Sequence, residues 1–260
     1  MIIVSFTSYG HRIQECAHIA AQSLVTQSVK ADKVICWLKG DDKPSEALLN
    51  IKGLEVRTGY PDLGSSSKLI HCLEEFPDAT IVTADDDIAY GYCWLEQLLL
   101  RAKNPAYVTG NVVWGVMIEN GHIQKYSLLE EACHKRPTHS GGVALGYFLP
   151  VGYAGVVYPP HSLSEGVLDH KLCMELCPYA SDIWFWTHTL IKGTKTHASY
   201  FEGFDVLQVG KTAGLHQINY GQGMNDKQFQ AVYDYYPEVR AWVQQHNDKY
   251  GHRPYQAGQP

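Results

Sequence analysis

Residues 80–90 read TIVTADDDIAY: four β-branched residues, Thr80, Ile81, Val82 and Thr83, and after Ala84 three consecutive aspartates. β-Branched side chains fit the pleated surface of a strand. Three adjacent carboxylates repel one another unless a cation or solvent relieves them. A buried strand that ends in a charge cluster predicts an α/β sheet with a ligand site at the carboxyl edge of its strands.

The flanking sequence repeats the pattern. IIVSF (2–6), KVICWL (33–38), LEVRT (54–58) and AYVTG (106–110) read as further strands. Between them, residues 12–27 carry Ile13, Ala17, Ala20 and Leu24 on one helical stripe. PSEALLNI (44–51), opened by Pro44, SKLIHCLEEF (67–76) and CWLEQLLLRAK (93–103) complete the helical set. Strands alternating with helices imply right-handed crossovers and a Rossmann-like, mostly parallel sheet flanked by helices. Thr7–Arg12 and Asp85–Asp87 both follow strands directly, so both are expected at one edge.

Beyond residue 110 the pattern is less regular. PVGYAGVVYPP (150–160) is strand-like, and SDIWFWTHTLIKG (181–193) reads as a helix with Ser181 as N-cap and Gly193 as C-cap. No internal repeat and no Ser/Gly linker interrupts the chain, which predicts a single domain over 1–245 and a frayed polar tail over 246–260.

Composition narrows the function. The chain has 260 residues, 45% hydrophobic and 18% charged, with net charge −6. With no long Lys/Arg stripe, nucleic acid is not expected as a partner. The apolar N-terminal run is too short for a signal peptide, and no uninterrupted apolar span reaches ~18 residues. A cytoplasmic protein is expected, and seven scattered cysteines fit free thiols in a reducing compartment.

Along an extended segment Asp85 and Asp87 point the same way and Asp86 the other. Two convergent carboxylates suit a hard divalent ion, Mg²⁺ or Mn²⁺, with positions left for phosphate oxygens. An EF-hand does not fit, since Tyr90 replaces the glycine of the sharp turn. A Walker loop does not fit either, since Ser65 stands where the lysine belongs. GSSSKL opens a helix whose N–H groups, with Lys68, suit an anion. Asp182 lies in the first turn of a helix, either as a dipole partner or as a general base beside Trp184 and Trp186. His170, Cys173 and Cys177 have H-x-x-C-x-x-x-C spacing, read as buried thiols or, with His161, as a zinc site. His216 is a lone histidine, and Asn225-Asp226 read as a turn or helix start.

Taken in order, VSFTSYGHRI, SLVTQSVKADKVICWL, KLIHCLEEFPDATIVTADDDIAY, GYAGVVYPP, CPYASDIWF and INYGQGMNDKQ resemble metal-dependent glycosyltransferases of the GT-A fold, especially bacterial family-2-like enzymes of surface polysaccharide synthesis. The resemblance implies a nucleotide-binding half over 1–109 and an acceptor half over 110–245. It implies Asp87 as ligand of a bridging Mn²⁺ or Mg²⁺, Asp85 beside it near the ribose, and His216 completing the metal site. Thr7, Ser8, Tyr9, Arg12, Lys68 and Asp86 would bind the nucleotide-sugar. Gly155, Trp184, Asn225 and Asp226 would shape the sugar and acceptor cleft, and Asp182 would be the catalytic base. Similar proteins often carry two acids before Ile-Trp; here position 181 is serine. The implied reaction moves a sugar from a nucleoside-diphosphate sugar, UDP-linked by default, to a glycan or a lipid-linked saccharide, with inversion. A lipid-linked acceptor would add peripheral membrane contact. Two rivals are a sugar-phosphate nucleotidyltransferase, for which TSYGHR is thinly basic, and a non-catalytic nucleotide-sugar- or carbohydrate-binding protein.

Overall fold

The structure is a computed structural model that describes residues 1–116, 118–119, 122–123, 125–126, 128–129, 143–199, 206–210, 219 and 221–250. In chain order the strands are β1 (Ile2–Ser8), β2 (Lys33–Lys39), β3 (Leu54–Tyr60), β4 (Thr80–Thr83), β5 (Ile88–Tyr90), β6 (Tyr107–Gly110) and β7 (Val113–Gly115). They continue as β8 (Ile118–Glu119), β9 (His122–Ile123), β10 (Val143–Ala144), β11 (Phe148–Pro150), β12 (Val156–Tyr158), β13 (Lys195–Ala198) and β14 (Val206–Gln208).

Eight of these form one sheet in the order β10-β13-β6-β12-β4-β1-β2-β3. β3, β2, β1 and β4 are parallel neighbours, with Ile3 opposite both Lys33 and Ile81. β12 is antiparallel to β4 and to β6, and β13 runs parallel to β6. The fold is α/β, with a large, mixed, mostly parallel sheet flanked by helices.

Side-chain alternation builds the two layers. Ile3, Ile35 and Ile81 point to one face and pack with Leu69, Ile70 and Cys72 of the Ser67–Glu75 helix. Val4, Phe6, Val34 and Val82 point to the other and pack with Ala17, Ala21 and Leu24 of the Ala17–Val25 helix. These are the period-2 consequences of a strand covered on both faces. The crossover after β1 therefore lies on one face and the crossover before β4 on the other. Between β1 and β4 the connections diverge, which opens a crevice at their carboxyl ends. The antiparallel β12 starts at that same edge, because Val156 pairs with Thr83 at the end of β4.

Several local expectations change. The helix predicted over 12–27 is two pieces, Arg12–Glu15 and Ala17–Val25, divided at Cys16 (φ −136°). The break gives Arg12 its own short turn, facing the aspartates. Ser45 caps the Glu46–Leu49 helix by accepting from the Leu48 N–H at 3.2 Å, the place where Pro44 was expected to open it. The strand-like run 150–160 is interrupted by a 3₁₀ turn, Gly152–Ala154. Ser181 is not an N-cap: Ala180 occupies that position and no side chain caps the helix Ser181–Lys192, while Gly193 (φ +79°) closes it as expected. The tail predicted to fray from residue 246 is helical through Tyr250 (Pro237–Tyr250), and 251–260 lie outside the described residues. No helix among the described residues is long and apolar enough to cross a membrane. The six described cysteines are all free thiols.

Gly155 shows how tightly the edge is packed. Its φ is +97°, and a Cβ there would lie 2.5 Å from the ring of Trp94, whose Nε1 donates to the Ala154 carbonyl at 2.9 Å. Gly155→Ala combines backbone strain with a steric clash against a buried indole. It is expected to destabilise the protein by about 2–4 kcal/mol, read as a lower urea midpoint at unchanged m-value.

Candidate active site

The crevice between β1 and β4 holds a cavity of about 430 Å³. Thr7, Tyr9, Arg12, Lys68 and Asp85–Asp87 line one side, and Gly152, Tyr153 and Tyr179–Asp182 line the other.

The aspartates are held separately. Asp86, 3% exposed, accepts from Ser8 Oγ and from Arg12 Nη1, both at 2.6 Å. Arg12 Nη2 donates to Asp87 Oδ2 at 2.5 Å, so one guanidinium joins two carboxylates. Asp85 accepts from Lys68 Nζ at 2.5 Å instead. Its backbone N–H donates to Tyr90 Oη at 2.8 Å, and Tyr90 in turn donates to the Tyr153 carbonyl at 3.0 Å. Asp86 and Asp87 share Arg12, while Asp85, held by Lys68, lies close enough to Asp87 to raise its carboxyl. β14 pairs with β5, and the N–H of Val209 donates to the Asp87 carbonyl at 2.7 Å, fixing the backbone after the cluster.

Lys68 is 4% exposed and its helix is fixed to the sheet. Ser5 Oγ donates to the Lys68 carbonyl while accepting from Trp37 Nε1 at 2.8 Å. Burial opposes the charge on Lys68, but Asp85, Asp182 and Asp86 outweigh it and hold its pKa above the ordinary lysine value.

Asp182 comes from the opposite wall, almost a hundred residues away in sequence. It does not cap its own helix; Oδ2 accepts from the Gly152 N–H at 3.2 Å. A Cβ on Gly152 would lie 2.9 Å from Asp182 Oδ1 and 3.1 Å from Lys68 Nζ. Glycine is therefore required for the acid and the amine to close around this turn. Burial pushes the Asp182 carboxyl up to about 6, opposed by Lys68 and the Gly152 N–H and assisted by Asp85. Asp86 is pushed up to about 6, again mainly by burial and against Arg12 and Ser8. Asp87 is also raised, by burial and by Asp85, with Arg12 opposing.

Of the other sequence candidates, Thr7 and Tyr9 line the cavity; Thr7 Oγ1 donates to the Trp37 carbonyl at 2.9 Å, and the Tyr9 ring lies 5.5 Å below the Arg12 guanidinium. Ser8 is buried behind Asp86 and acts on the cavity only through it. Trp184 is not a cleft residue: it is fully buried, with Nε1 donating to the Val167 carbonyl at 3.0 Å and its ring against His188. Gly155 lies in the packing behind the cavity, and Asp226 is not among the residues that line it. Asn225 does line it. His216 falls outside the described residues. Of the two readings of H-x-x-C-x-x-x-C, the structure shows the buried thiols. Cys173 and Cys177 are buried thiols, Cys173 Sγ donating to Ser66 Oγ at 3.5 Å, while His170 and His161 pair with Glu74 and Asp78.

Sequence reasoning missed Gly152, Tyr126, Tyr153, Tyr179 and Asn219, all on the cavity wall. Tyr153 and Tyr179 line the cavity and are each 39% exposed. The buried Oδ1 atoms of Asn219 and Asn225 have no hydrogen-bond partner among the described residues. Two orphan acceptors beside cations and aromatic faces suit a ligand rich in hydroxyl donors. The aromatic richness of the chain was the available signal, without position.

Taken together, the α/β fold and its crevice place a cavity lined by charged side chains at a sheet switch point. No family model matches the sequence, and no curated protein matches it. Among solved structures the chain is similar to "Crystal structure of 4-diphosphocytidyl-2C-methyl-D-erythritol synthase", with 8% identity, a TM-score of 0.45, and coverage of 81% of this chain and 93% of that one.

Removing Arg12 would leave Asp86 and Asp87 buried without their cation. Arg12→Ala is expected to cost about 3–5 kcal/mol at pH 8. Because Asp86 is pushed up to about 6 and Asp87 is also raised, protonation of these carboxyls as pH falls relieves the loss, so the deficit should shrink toward pH 5 in denaturation measured at the two pH values.

Proposed function

We propose that the protein is a glycosyltransferase that transfers a sugar from a nucleoside-diphosphate sugar to a hydroxyl of a glycan or lipid-linked saccharide, with inversion. The observation that carries this reading is the placement of Asp182 across one cavity from Lys68 and the Asp85–Asp87 cluster. That arrangement puts a proton acceptor opposite a cluster of two cations and three carboxylates, whose net negative charge would let a divalent ion join it to a diphosphate. The ordered motifs that resemble GT-A glycosyltransferases support the same assignment.

In this reading Thr7, Tyr9, Arg12 and Lys68 hold the donor. Burial keeps water away from Arg12 and Lys68 and strengthens each of their charged contacts. The exposed rings of Tyr153 and Tyr179 offer stacking faces, and Asn219 and Asn225 accept from sugar hydroxyls. Asp182, with a pKa of about 6, is ionised at neutral pH yet basic enough to take the proton of an acceptor hydroxyl. That oxygen attacks the anomeric carbon, and the carbon–oxygen bond to the diphosphate breaks with its electron pair leaving on the nucleoside diphosphate. The cavity walls hold both reactants in attack geometry.

The family resemblance implies Mn²⁺ or Mg²⁺. The residues fit it: Lys68 takes only Oδ1 of Asp85 and Arg12 only Oδ2 of Asp87, and no other described side chain claims the second oxygen of either. Such ions use one or two carboxylates and complete their shell with phosphate oxygens and water. When bound, the ion would neutralise charge on the departing diphosphate.

A panel of nucleotide-sugars with Mn²⁺ or Mg²⁺ should raise the melting temperature selectively, and the matching donor should release nucleoside diphosphate when acceptor is added. Asp182→Asn is expected to lower kcat by about 10²–10⁴-fold and to remove the rise of rate with pH through about 6. Asp87→Ala should abolish the metal dependence. Pyrophosphate formed from nucleoside triphosphate and sugar phosphate would instead make the chain a nucleotidyltransferase. Donor binding without turnover on any acceptor would make it a binding protein.

A further inference from the structure

A second cluster lies away from the cavity, on the helix that carries Lys68 and on the helix that precedes the Tyr179–Asp182 wall. His71 and Glu74 are one turn apart on the Ser67–Glu75 helix, and His170 begins the His170–Leu176 helix. One donor atom from each lies within 4.8 Å of the other two. Glu74 bridges the pair: Oε2 is 3.2 Å from His71 Nδ1, and Oε1 is 2.7 Å from His170 Nε2.

The tautomer of His71 is set by its other nitrogen. Nε2 is 3.0 Å from the Pro61 carbonyl, which can only accept, so Nε2 carries the proton. In the neutral ring this leaves the Nδ1 lone pair aimed at a carboxylate oxygen, an acceptor against an acceptor. A positive centre between them resolves the conflict. A carbonyl that orients an imidazole from behind is also the usual support of a metal-ligating histidine. The ring is held in place besides: it is 1% exposed, packs on Trp37 and Tyr60, and meets His170 edge to face.

We propose that His71, Glu74 and His170 form a binding site for a divalent transition metal of the zinc class. Two imidazoles and one carboxylate are a donor set that favours zinc over magnesium or calcium. Ligand bonds of about 2.0–2.2 Å put tetrahedral donors roughly 3.3–3.6 Å apart. Reaching that spacing takes only small movements of Glu74 and His170, which are partly exposed, around the fixed His71. The fourth position faces outward for water. The site ties the helix that carries Lys68 to the segment that leads through Pro178 to Asp182. Those two segments already touch where Cys173 meets Ser66 and where the Pro178 carbonyl approaches Gly64. The ion therefore braces both walls of the cavity without entering it.

The test uses the full chain after chelator treatment, titrated with Zn²⁺ by calorimetry and with Co²⁺ by visible absorption. The expected result is one equivalent of Zn²⁺, a Co²⁺ d–d spectrum that Zn²⁺ displaces, and a higher melting temperature with metal. His170→Ala and Glu74→Gln, both at partly exposed positions, should weaken Zn²⁺ binding by about tenfold or more while keeping the wild-type circular dichroism. Asp87→Ala should leave Zn²⁺ uptake intact, which separates this site from the cavity and from the assignment of its activity. Absence of stoichiometric uptake overturns the proposal, as does uptake lost in Asp87→Ala and retained in His170→Ala.

Discussion

The site depends on one buried guanidinium. Arg12 holds Asp86 and Asp87 at hydrogen-bonding distance, and the loop after β1 and the loop after β4 are joined through it. Three carboxylates in a row at a buried edge are costly alone, and a single cation against two of them leaves the third for Lys68. The three carboxylates are therefore met by two cations before any ligand arrives, and the cluster keeps a net negative charge. Such preorganisation means that a ligand meets fixed partners and does not have to order them. The break at Cys16 follows from the same demand, since a continuous helix over 12–27 would carry Arg12 out of this position.

Much of the fold was legible where the signals are local. The alternation Ile3/Val4 or Ile81/Val82 assigns faces, and Gly193 stops a helix by its own φ. Strand-then-charge placed Thr7–Arg12 and Asp85–Asp87 at one edge without any alignment. Asp182 was found by type and helix position, yet nothing in its neighbourhood tells that it bonds to Gly152 and not to its own helix. That contact is set by the antiparallel entry of β12, a tertiary fact.

The misreadings share a cause. Trp184 looks like a cleft residue because it is aromatic and next but one to Asp182. A helix that begins at a cavity, however, turns most of its rings into the core, where Trp184 and Trp186 each satisfy an N–H on a distant carbonyl. Asp86 looked like the odd member of its triplet, and it is the anchor. By contrast, the buried-thiol reading of Cys173 and Cys177 holds, and burial pushes Cys173 up to about 11 and Cys177 well above its usual value, which disfavours the thiolate a metal needs. Period and spacing say which residues share a side; they do not say whether that side faces water.

The reversed strand β12 also has a consequence for how the chain is made. During synthesis β1 to β4 emerge early and can pair at once, and Arg12 can find Asp86. The outer edge of β4 then has no neighbour until residues 156–158 appear, and β6, though made earlier, reaches the sheet only through β12. For that interval an apolar half-sheet presents open hydrogen-bonding groups, the condition under which strands pair with the wrong chain. The strand that covers this edge of β4 also sets in place Gly152, the turn on which Lys68 and, later in synthesis, Asp182 close, so protecting the edge against misassembly prepares the cavity.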